Sequence, residues 1–309
     1  MSHLARACDD NRKDYPDIRH SFLVADAAGG QIRLPTARQR DALSVRWDGH
    51  ETTTRRIAEE TPIAITYNSL PYAVMMATPA DLKDFGLGFS ITERIISRPH
   101  EILALEIRPT NLGVELSIAI DKGSFRERAK RQRNVTGRTG CGLCGVRQLE
   151  DAVVQLPLVA AGEPIHATAI RAALDHLAPG QTMNAETHAV HAAAWAAPEG
   201  RLLVIREDVG RHNALDKLVG AMAAATLDPR AGFCVITSRC SYEMVQKAAL
   251  AGISVIVAIS APTELAIRQA EAAGVTLVAL ARSDGFAVYA HHQRIVTAPI
   301  RRPESISVT

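Results

Sequence analysis

The chain has 309 residues and a formal net charge of +2 at pH 7, with 47% hydrophobic and 22% charged residues. This composition predicts a globular protein of about two domains, and the small net charge argues against a general nucleic-acid binder. No apolar run approaches the ~20 residues of a membrane-spanning helix, and the charged N-terminus lacks the apolar core of a signal peptide. We therefore expect a cytoplasmic protein with neither a nucleic-acid nor a membrane partner.

The N-terminal half predicts an extension followed by a small α+β domain. Residues 1–56 are polar and poorly periodic, so we expect a poorly ordered extension in which 36–56 can hold one strand. A domain over residues 57–133 is predicted from strands at 62–67 and 72–77 and a hairpin at 102–120. Thr78, followed by Pro79, is predicted to cap the helix that follows the second strand.

Residues 134–147 form a glycine-rich segment that holds two of the five cysteines, Cys141 and Cys144, two residues apart. Glycine loses much backbone entropy on ordering, so we predict a flexible loop here. Seven basic residues against one acidic residue lie at 122–138. A solvated charged face is the ordinary interpretation of such a run, but its position beside two thiols favours a polyanion or an acidic partner.

Three interpretations of Cys141 and Cys144 compete. A structural zinc site needs about four ligands, and no second Cys-x-x-Cys or clear histidine pair exists in the chain, so we expect no structural metal. A disulfide oxidoreductase usually has this motif at the start of a helix in a thioredoxin-like unit, unlike the glycine-rich context here. A persulfide carrier would use Arg138 and Arg147 to favour the thiolate, with a second thiol to relay sulfur. The residues alone do not decide between the disulfide oxidoreductase and the persulfide carrier.

Residues 148–300 alternate between strands and helices, which predicts an α/β domain with a sheet covered on both faces, followed by a tail at 301–309. A helix, an antiparallel strand pair and three helix–strand units give the order of a cytidine-deaminase-like fold with a three-layer core. A zinc deaminase itself is disfavoured, because the stretch at 237–243 has one cysteine, Cys240, where a zinc site needs two. His188 and His191 are predicted to share one strand and to point to opposite faces.

Two predicted helix starts carry candidate ligand-binding residues. The first has Arg211 and His212, and the second has Ser238 and Arg239. Helix N-termini with such residues suit phosphate groups. Ordinary capping by nearby Asp and Ser side chains is an equally weighted alternative, and a lone histidine is more often structural than catalytic.

The chain resembles the formate dehydrogenase accessory sulfurtransferase family (FdhD) from about residue 59 to about residue 293. The resemblance rests on several motifs together: Glu60-Thr-Pro-Ile-Ala-Ile-Thr-Tyr-Asn68, Val74-Met-Met-Ala-Thr-Pro79, Thr139-Gly-Cys-Gly-Leu-Cys-Gly145, Thr187-His-Ala189, Arg206-Glu-Asp-Val-Gly-Arg-His-Asn-Ala-Leu-Asp-Lys217, Ser238-Arg-Cys-Ser-Tyr-Glu-Met-Val245 and Ser260-Ala-Pro-Thr263. Two positions depart from the family pattern, since Ser69 and Arg94 stand where glycine is usual. Both positions lie outside the cysteine segment, so the departures concern local turns.

The resemblance implies a sulfur carrier that accepts sulfur from a cysteine desulfurase. The sulfur then passes to the molybdenum cofactor, a bis(molybdopterin guanine dinucleotide), of formate dehydrogenase. Cys141 is implied as the persulfide residue and Cys144 as a supporting relay. The implied cofactor-binding segment comprises Leu280, Ala281, Arg282, Ser283, Asp284 and Gly285. The resemblance also implies a homodimer, and a non-catalytic cofactor chaperone or insertion factor is the alternative function.

Overall fold

The computed structural model describes residues 23–25, 31–121 and 155–297. Cys141 and Cys144, with the whole predicted loop at 134–147 and the tail at 301–309, lie outside the described residues. Within these ranges, none of the helices combines the length and the apolar character that crossing a membrane requires.

Two antiparallel strand pairs precede the small domain. Strands β1 (Leu23–Ala25) and β2 (Gln31–Arg33) form a short pair, and β3 (Ala37–Arg46) pairs along its whole length with β4 (Gly49–Ala58). The prediction of one strand in a poorly ordered stretch is therefore wrong for residues 37–56. Backbone hydrogen bonds between the strands provide the order, and they leave no mark in the hydrophobic periodicity.

A four-stranded sheet with the order β6-β5-β8-β7 forms the small domain. Its strands are β5 (Thr61–Tyr67), β6 (Leu70–Ala77), β7 (Ile102–Thr110) and β8 (Gly113–Ile120). Helix α1 (Leu82–Thr92) covers one face, where Phe85 and Phe89 pack against alternate buried strand residues such as Ile63 and Ile65. The predicted strands and hairpin are confirmed.

The predicted cap of α1 is wrong. The helix begins at Leu82, after Asp81 with a φ of 54°, and not at Thr78. The backbone N–H of Thr78 donates to Asp208 Oδ2 at 2.9 Å, and its hydroxyl oxygen accepts from the N–H of Val209 at 3.1 Å. Thr78 therefore binds the large domain and leaves α1 without its cap.

The large domain is built on a six-stranded sheet with the order β11-β10-β12-β13-β14-β15. After β9 (Ile165–His166), α2 (Ala167–Gly180) and α3 (Thr182–Thr187), the chain continues through β10 (His191–Ala196), β11 (Leu202–Asp208), α4 (Arg211–Ala224), β12 (Phe233–Ile236), α5 (Tyr242–Leu250), β13 (Val255–Ala258), α6 (Glu264–Ala273), β14 (Thr276–Arg282), β15 (Gly285–Ala290) and β16 (Ile295–Val296). Strands β12, β13 and β14 are parallel, and β9 pairs with β16.

The two faces of this sheet are both covered. Helices α4, α5 and α6 pack on one face, around Trp195 and Ile256, while α2 packs on the other, around Ala194 and Val257. The predicted α/β class with a three-layer core is therefore present. The sequence did not indicate β15, which adds an antiparallel edge strand. The likeness to the cytidine-deaminase fold stays a prediction.

Helices α1 and α4 pack against each other so closely that their backbones are in contact, and this contact joins the two sheets. A Cβ atom added at Gly88 would lie 1.7 Å from the carbonyl oxygen of Asp216, and one at Gly220 would lie 1.9 Å from that of Asp84. Glycine is thus required at both positions. Beside this contact, Asp216 accepts hydrogen bonds from Lys247 Nζ at 2.8 Å and from the hydroxyl of Thr92 at 2.6 Å. The interface therefore combines close packing with buried charge.

Candidate functional site

Four strands of the large sheet end on the same side, which we name the carboxyl edge. Strands β11, β12, β13 and β14 run in one direction, because β10 is antiparallel to both of its neighbours. The sequence-predicted ligand residues follow these ends: Arg211 and His212 come after β11, Ser238 and Arg239 after β12, and residues 280–285 at the junction of β14 and β15. Ligands of open α/β sheets bind beyond the carboxyl ends of strands.

The predicted residues share this edge without forming one cluster. Strand β14 lies four positions from β11 in the sheet, which corresponds to about 19 Å at the usual spacing of strands. Arg211 and residues 280–285 therefore occupy opposite ends of the edge, with Arg239 between them. An elongated ligand suits such an arrangement better than a compact one.

The start of helix α4 presents two buried polar atoms with unused hydrogen-bonding capacity. Within the described chain, Nε of Arg211 and Nε2 of His212 have no hydrogen-bond partner. His212 Nε2 lies 3.5 Å from Glu243 Oε2, which is within ion-pair range but is not a hydrogen bond. A buried polar group without a partner is costly, and a helix N-terminus favours negative charge. These residues fit an anionic group such as a phosphate.

The pKa shifts of two neighbouring side chains, His191 and Glu243, include contributions from Arg211 and His212. Burial and, after it, the charge of Arg211 lower the pKa of His191; the carboxylate of Asp208 acts against them, and His212 adds a smaller lowering. Burial raises the pKa of Glu243, but His212, the Ser241 hydroxyl and Arg211 outweigh it, so that the net pKa is lowered. Arg211 and His212 therefore place positive charge beside His191 and Glu243.

One prediction about this neighbourhood is wrong, and the capping alternative is met only in part. His188 ends α3 in a left-handed conformation with a φ of 51°, so it does not share a strand with His191. Ser241 occupies the N-cap position of helix α5, but its hydroxyl donates to Glu243 at 2.8 Å and does not accept from a helix N–H, while the Ser238 hydroxyl donates to the carbonyl of Arg239 at 3.0 Å. The Ser238 hydroxyl is thus used within the loop, and the Ser241 hydroxyl is used by a side chain in the first turn of α5.

Sequence reasoning missed the role of Asp208, which is fully buried at the end of β11. Its Oδ1 accepts from the N–H of Gly210 at 2.8 Å and from the Asn213 amide at 3.0 Å. Its Oδ2 lies 2.6 Å from Nζ of Lys217 and accepts from the N–H of Thr78. Asp208 thus fixes the start of α4, from which Arg211 projects, to the small domain.

The two residues before Asp208 are also buried and also hold neighbouring segments. Glu207 accepts hydrogen bonds from the N–H groups of Met183 and Asn184, each at 2.9 Å, at the start of α3. Arg206 Nε donates to Asp84 at 2.8 Å in helix α1. Three consecutive charged residues at the end of an apolar strand were the available signal, because buried charge is tolerated only when it is paired.

The opposite end of the carboxyl edge has irregular backbone. Leu280 has a φ of 55°, rare for a leucine, and the β14–β15 register shifts between Ala279 and Arg282. The N–H of Leu280 donates to the carbonyl of Ser260 at 3.2 Å, at the end of β13. Ala281 is buried, whereas the side chains at 282–284 are exposed. Strained, bulged backbone of this kind is common at ligand sites.

The cysteines of the described chain are unsuited to sulfur chemistry. Burial raises the pKa of Cys240 to about 12 and raises that of Cys234 further still. Because the thiolate is the reactive form, neither thiol is a nucleophile near neutral pH. No group of three or more His, Cys, Asp or Glu side chains in this part of the chain could hold a metal ion.

The fold is that of an α/β protein whose candidate ligand residues lie along the carboxyl edge of its large sheet. The sequence model of the FdhD/NarQ family matches residues 58–296. The chain therefore belongs to the FdhD/NarQ family.

Named relatives and a solved structure agree with that assignment. The chain is 46% identical over 251 residues to "Sulfur carrier protein FdhD" of Bordetella petrii, covering 81% of this chain and 90% of that protein. It is 44% identical over 275 residues to the protein of the same name from Cupriavidus necator, covering 88% and 94%. A crystal structure from Desulfotalea psychrophila, described as a candidate formate dehydrogenase accessory protein, has a TM-score of 0.68 at 27% identity, covering 85% of this chain and 100% of that chain.

Proposed function

We propose that the protein carries sulfur for the maturation of formate dehydrogenase. In this proposal Cys141 holds the sulfur as a persulfide and delivers it to the molybdenum cofactor, a bis(molybdopterin guanine dinucleotide). The observation that carries the proposal is the Cys141–Cys144 motif in a chain whose relatives, at 46% and 44% identity, are named sulfur carriers. The buried thiols of Cys234 and Cys240 support it, because they leave the sulfur to other cysteines of the chain.

Loading is a thiol–persulfide exchange with a cysteine desulfurase. The Cys141 thiolate attacks the outer sulfur of the desulfurase persulfide. A new S–S bond forms on Cys141 while the donor's S–S bond breaks, and the donor cysteine leaves as a thiolate. The transferred sulfur keeps its oxidation state, so the step needs neither an oxidant nor a reductant.

Delivery requires two electrons, because the outer sulfur of a persulfide must become sulfide. Cys144 supplies them: its thiolate attacks the Cys141 sulfur, expels sulfide and leaves a Cys141–Cys144 disulfide. The sulfide takes a ligand position on the molybdenum of the substrate cofactor. A dithiol reductant reopens the disulfide for the next cycle. This is the relay role of Cys144.

The carboxyl edge is the proposed cofactor site. The dinucleotide phosphates suit the start of α4, where Arg211 and His212 have unused polar atoms. Ser238 and Arg239 lie along the edge, and the segment from Leu280 to Gly285 closes its far end. The ~19 Å between the two ends suits an elongated dinucleotide.

Chain length allows the cysteines to reach this edge. Gln155 accepts a hydrogen bond from Arg94 at 3.2 Å, just beyond the end of α1. Helix α1 has 11 residues, so its start beside the carboxyl edge is about 16 Å from its end. The 11 peptide units from Gln155 back to Cys144 span up to about 36 Å, which exceeds that distance.

The family resemblance extends the proposal to its setting. We expect a cytoplasmic homodimer with a cytidine-deaminase-like core. Its partners would be a cysteine desulfurase and a formate dehydrogenase. Light scattering of the purified protein tests the dimer directly, since a monomer has a mass of 33.3 kDa.

Intact mass spectrometry tests the loading step. After incubation with a cysteine desulfurase and cysteine, the wild-type protein should gain the mass of one sulfur atom, and the gain should disappear with dithiothreitol. Cys141→Ala should show no gain. Cys8→Ala is the matched control and should load like the wild type, since it keeps both cysteines of the motif.

Maturation of formate dehydrogenase separates the two candidate functions. Cys144→Ala should load sulfur but mature the enzyme poorly, because the relay thiol is missing. A Cys141→Ala/Cys144→Ala variant that still matures formate dehydrogenase would show a cofactor chaperone, and the sulfur-carrier proposal would then be abandoned.

A further inference from the structure

The β3–β4 hairpin is a prominent feature for which the proposed function has no use. Its two strands of ten residues each pair over their full length. The family match begins at residue 58, at the last residue of β4, so the hairpin precedes the matched region. At its base Arg56 forms an ion pair with Glu186 at 2.9 Å. Most of its side chains are exposed on both faces.

The two faces of the hairpin differ in charge. Strand alternation and the observed register put positions 38, 40, 42, 44 and 46 of β3 on one face with positions 49, 51, 53, 55 and 57 of β4. We name this the arginine face: it carries four arginines, Arg38, Arg40, Arg46 and Arg55, and one acidic residue, Glu51. The opposite face carries Leu43 and Val45, which are 61% and 72% exposed.

Arg40 and Arg55 stand directly opposite each other in the ladder. Both are exposed, and neither has an ion-pair partner in the described chain, whereas Arg38 pairs with Glu59 and Arg46 lies 3.6 Å from Glu51. Like charges directly opposite each other destabilise a strand pair. The free hairpin therefore holds an unfavourable pair that carboxylates between the two guanidinium groups would relieve.

We propose that the arginine face docks an acidic surface of a partner protein, with carboxylates between Arg40 and Arg55. Guanidinium groups match carboxylates in a bidentate geometry. The hairpin also has a fully exposed tryptophan, Trp47, at its turn, and arginine and tryptophan are enriched in protein interfaces. Asp41 beside Leu43 opposes insertion into a bilayer. This proposal is independent of the sulfur-carrier function.

Peptide binding tests the proposal on the full-length protein. The probe is a fluorescent peptide of about eight residues that alternates Glu and Val, to match the two-residue period of a strand. Wild type should bind it at an ionic strength of about 0.01 M and more weakly at about 0.15 M, because salt screens exposed charges. The Arg40→Gln/Arg55→Gln variant should bind about tenfold more weakly.

The matched control removes two exposed arginines elsewhere, with Arg171→Gln/Arg268→Gln. These side chains lie on α2 and α6 and are 74% and 60% exposed, so the control has the same net charge as the test variant. It should bind the peptide like the wild type. Equal loss in both double variants, or no binding by the wild type, would refute the docking face.

Two further measurements test whether the arginines bind another class of anion or have a structural role. Preference of the wild type for a DNA duplex or for phosphatidylserine vesicles over the peptide would overturn the proposal in favour of another class of anion. Urea unfolding should show the Arg40→Gln/Arg55→Gln variant to be as stable as the wild type or more stable, because it loses a repulsion. A clear loss of stability would assign the arginines a structural role instead.

Discussion

The α1–α4 interface and the β3–β4 hairpin use charge in opposite ways. In the interface, Asp208 and Lys217 are fully buried and 2.6 Å apart, and Asp216 is buried against Lys247. In the hairpin, Arg40 and Arg55 are exposed and face each other. A buried charge must be paired where it stands, whereas an exposed charge remains available to another molecule.

This difference shows which region of the molecule is held in one fixed geometry. The interface orients the start of α4 through Asp208, whose four partners come from the turn after β11, from α4 and from the loop before α1. The hairpin is ordered by its backbone ladder, and its side chains contribute little to the core. The first region thus positions a site, and the second presents a surface.

The largest expected effect comes from breaking the buried pair. Lys217→Met should lower the free energy of unfolding by about 3–5 kcal/mol, because it leaves Asp208 buried with its charge unpaired. Urea unfolding followed by circular dichroism measures this change. Adding Asp208→Asn to the variant should recover part of the loss, since it removes the buried charge.

The control for this prediction lies at the base of the hairpin. Arg56→Met breaks the ion pair between Arg56 and Glu186, two side chains that are each about half exposed. This substitution should lower the free energy of unfolding by less than about 1 kcal/mol. Similar losses for Lys217→Met and Arg56→Met would remove the distinction between the two regions.

A smaller effect is expected from the glycine contact. Gly88→Ala should destabilise the protein by about 3 kcal/mol, because its Cβ would lie 1.7 Å from a backbone oxygen that cannot rotate away. Gly49→Ala in the hairpin has nothing within 4 Å of the added Cβ, and should change stability by less than about 0.5 kcal/mol. Thermal unfolding of both variants measures the contrast, and an undisturbed Gly88→Ala protein would contradict the close crossing.

The smallest effect compares the turns of two hairpins. Asn68 and Ser69 join β5 to β6 with φ values of 48° and 66°, the pattern of a type I′ turn that favours Asn-Gly. Ser69→Gly should therefore raise the free energy of unfolding by about 0.5 kcal/mol. Asp48 in the β3–β4 turn does not have a positive φ, so Asp48→Gly should lower the free energy of unfolding. An unfolding midpoint that moves the same way in both variants would be the contrary result.

The sequence predicted the elements whose order comes from burial. Strands with alternating residues such as Ile63 and Ile65, and parallel strands of continuous apolar residues, were found near their observed bounds because periodicity records which side chains face a core. The strand order then carried Arg211, Arg239 and Leu280 to one edge. Ser69 and Arg94, which stand where the family pattern has glycine, both have left-handed φ values, of 66° and 59°, a conformation that glycine adopts readily.

Elements ordered by polar or long-range contacts were not predictable from the sequence. The β3–β4 hairpin lacks a buried face, so no periodicity marks it. Thr78 follows the local rule for a helix cap, but Asp208, 130 residues later, binds its N–H instead. The buried run at Arg206, Glu207 and Asp208 is read correctly only when its partners in other segments are known.

The separation in sequence between α1 and α4 has a consequence for synthesis of the protein. Helix α1 finishes its packing only against α4, whose residues leave the ribosome about 130 residues later. At ordinary translation rates, this interval is roughly 10 seconds. During that time the glycine-bearing side of α1 is uncovered on the nascent chain, and the small domain must wait for its partner or for a chaperone. The contact between α1 and α4 thus also sets the earliest time during synthesis at which the fold can be completed.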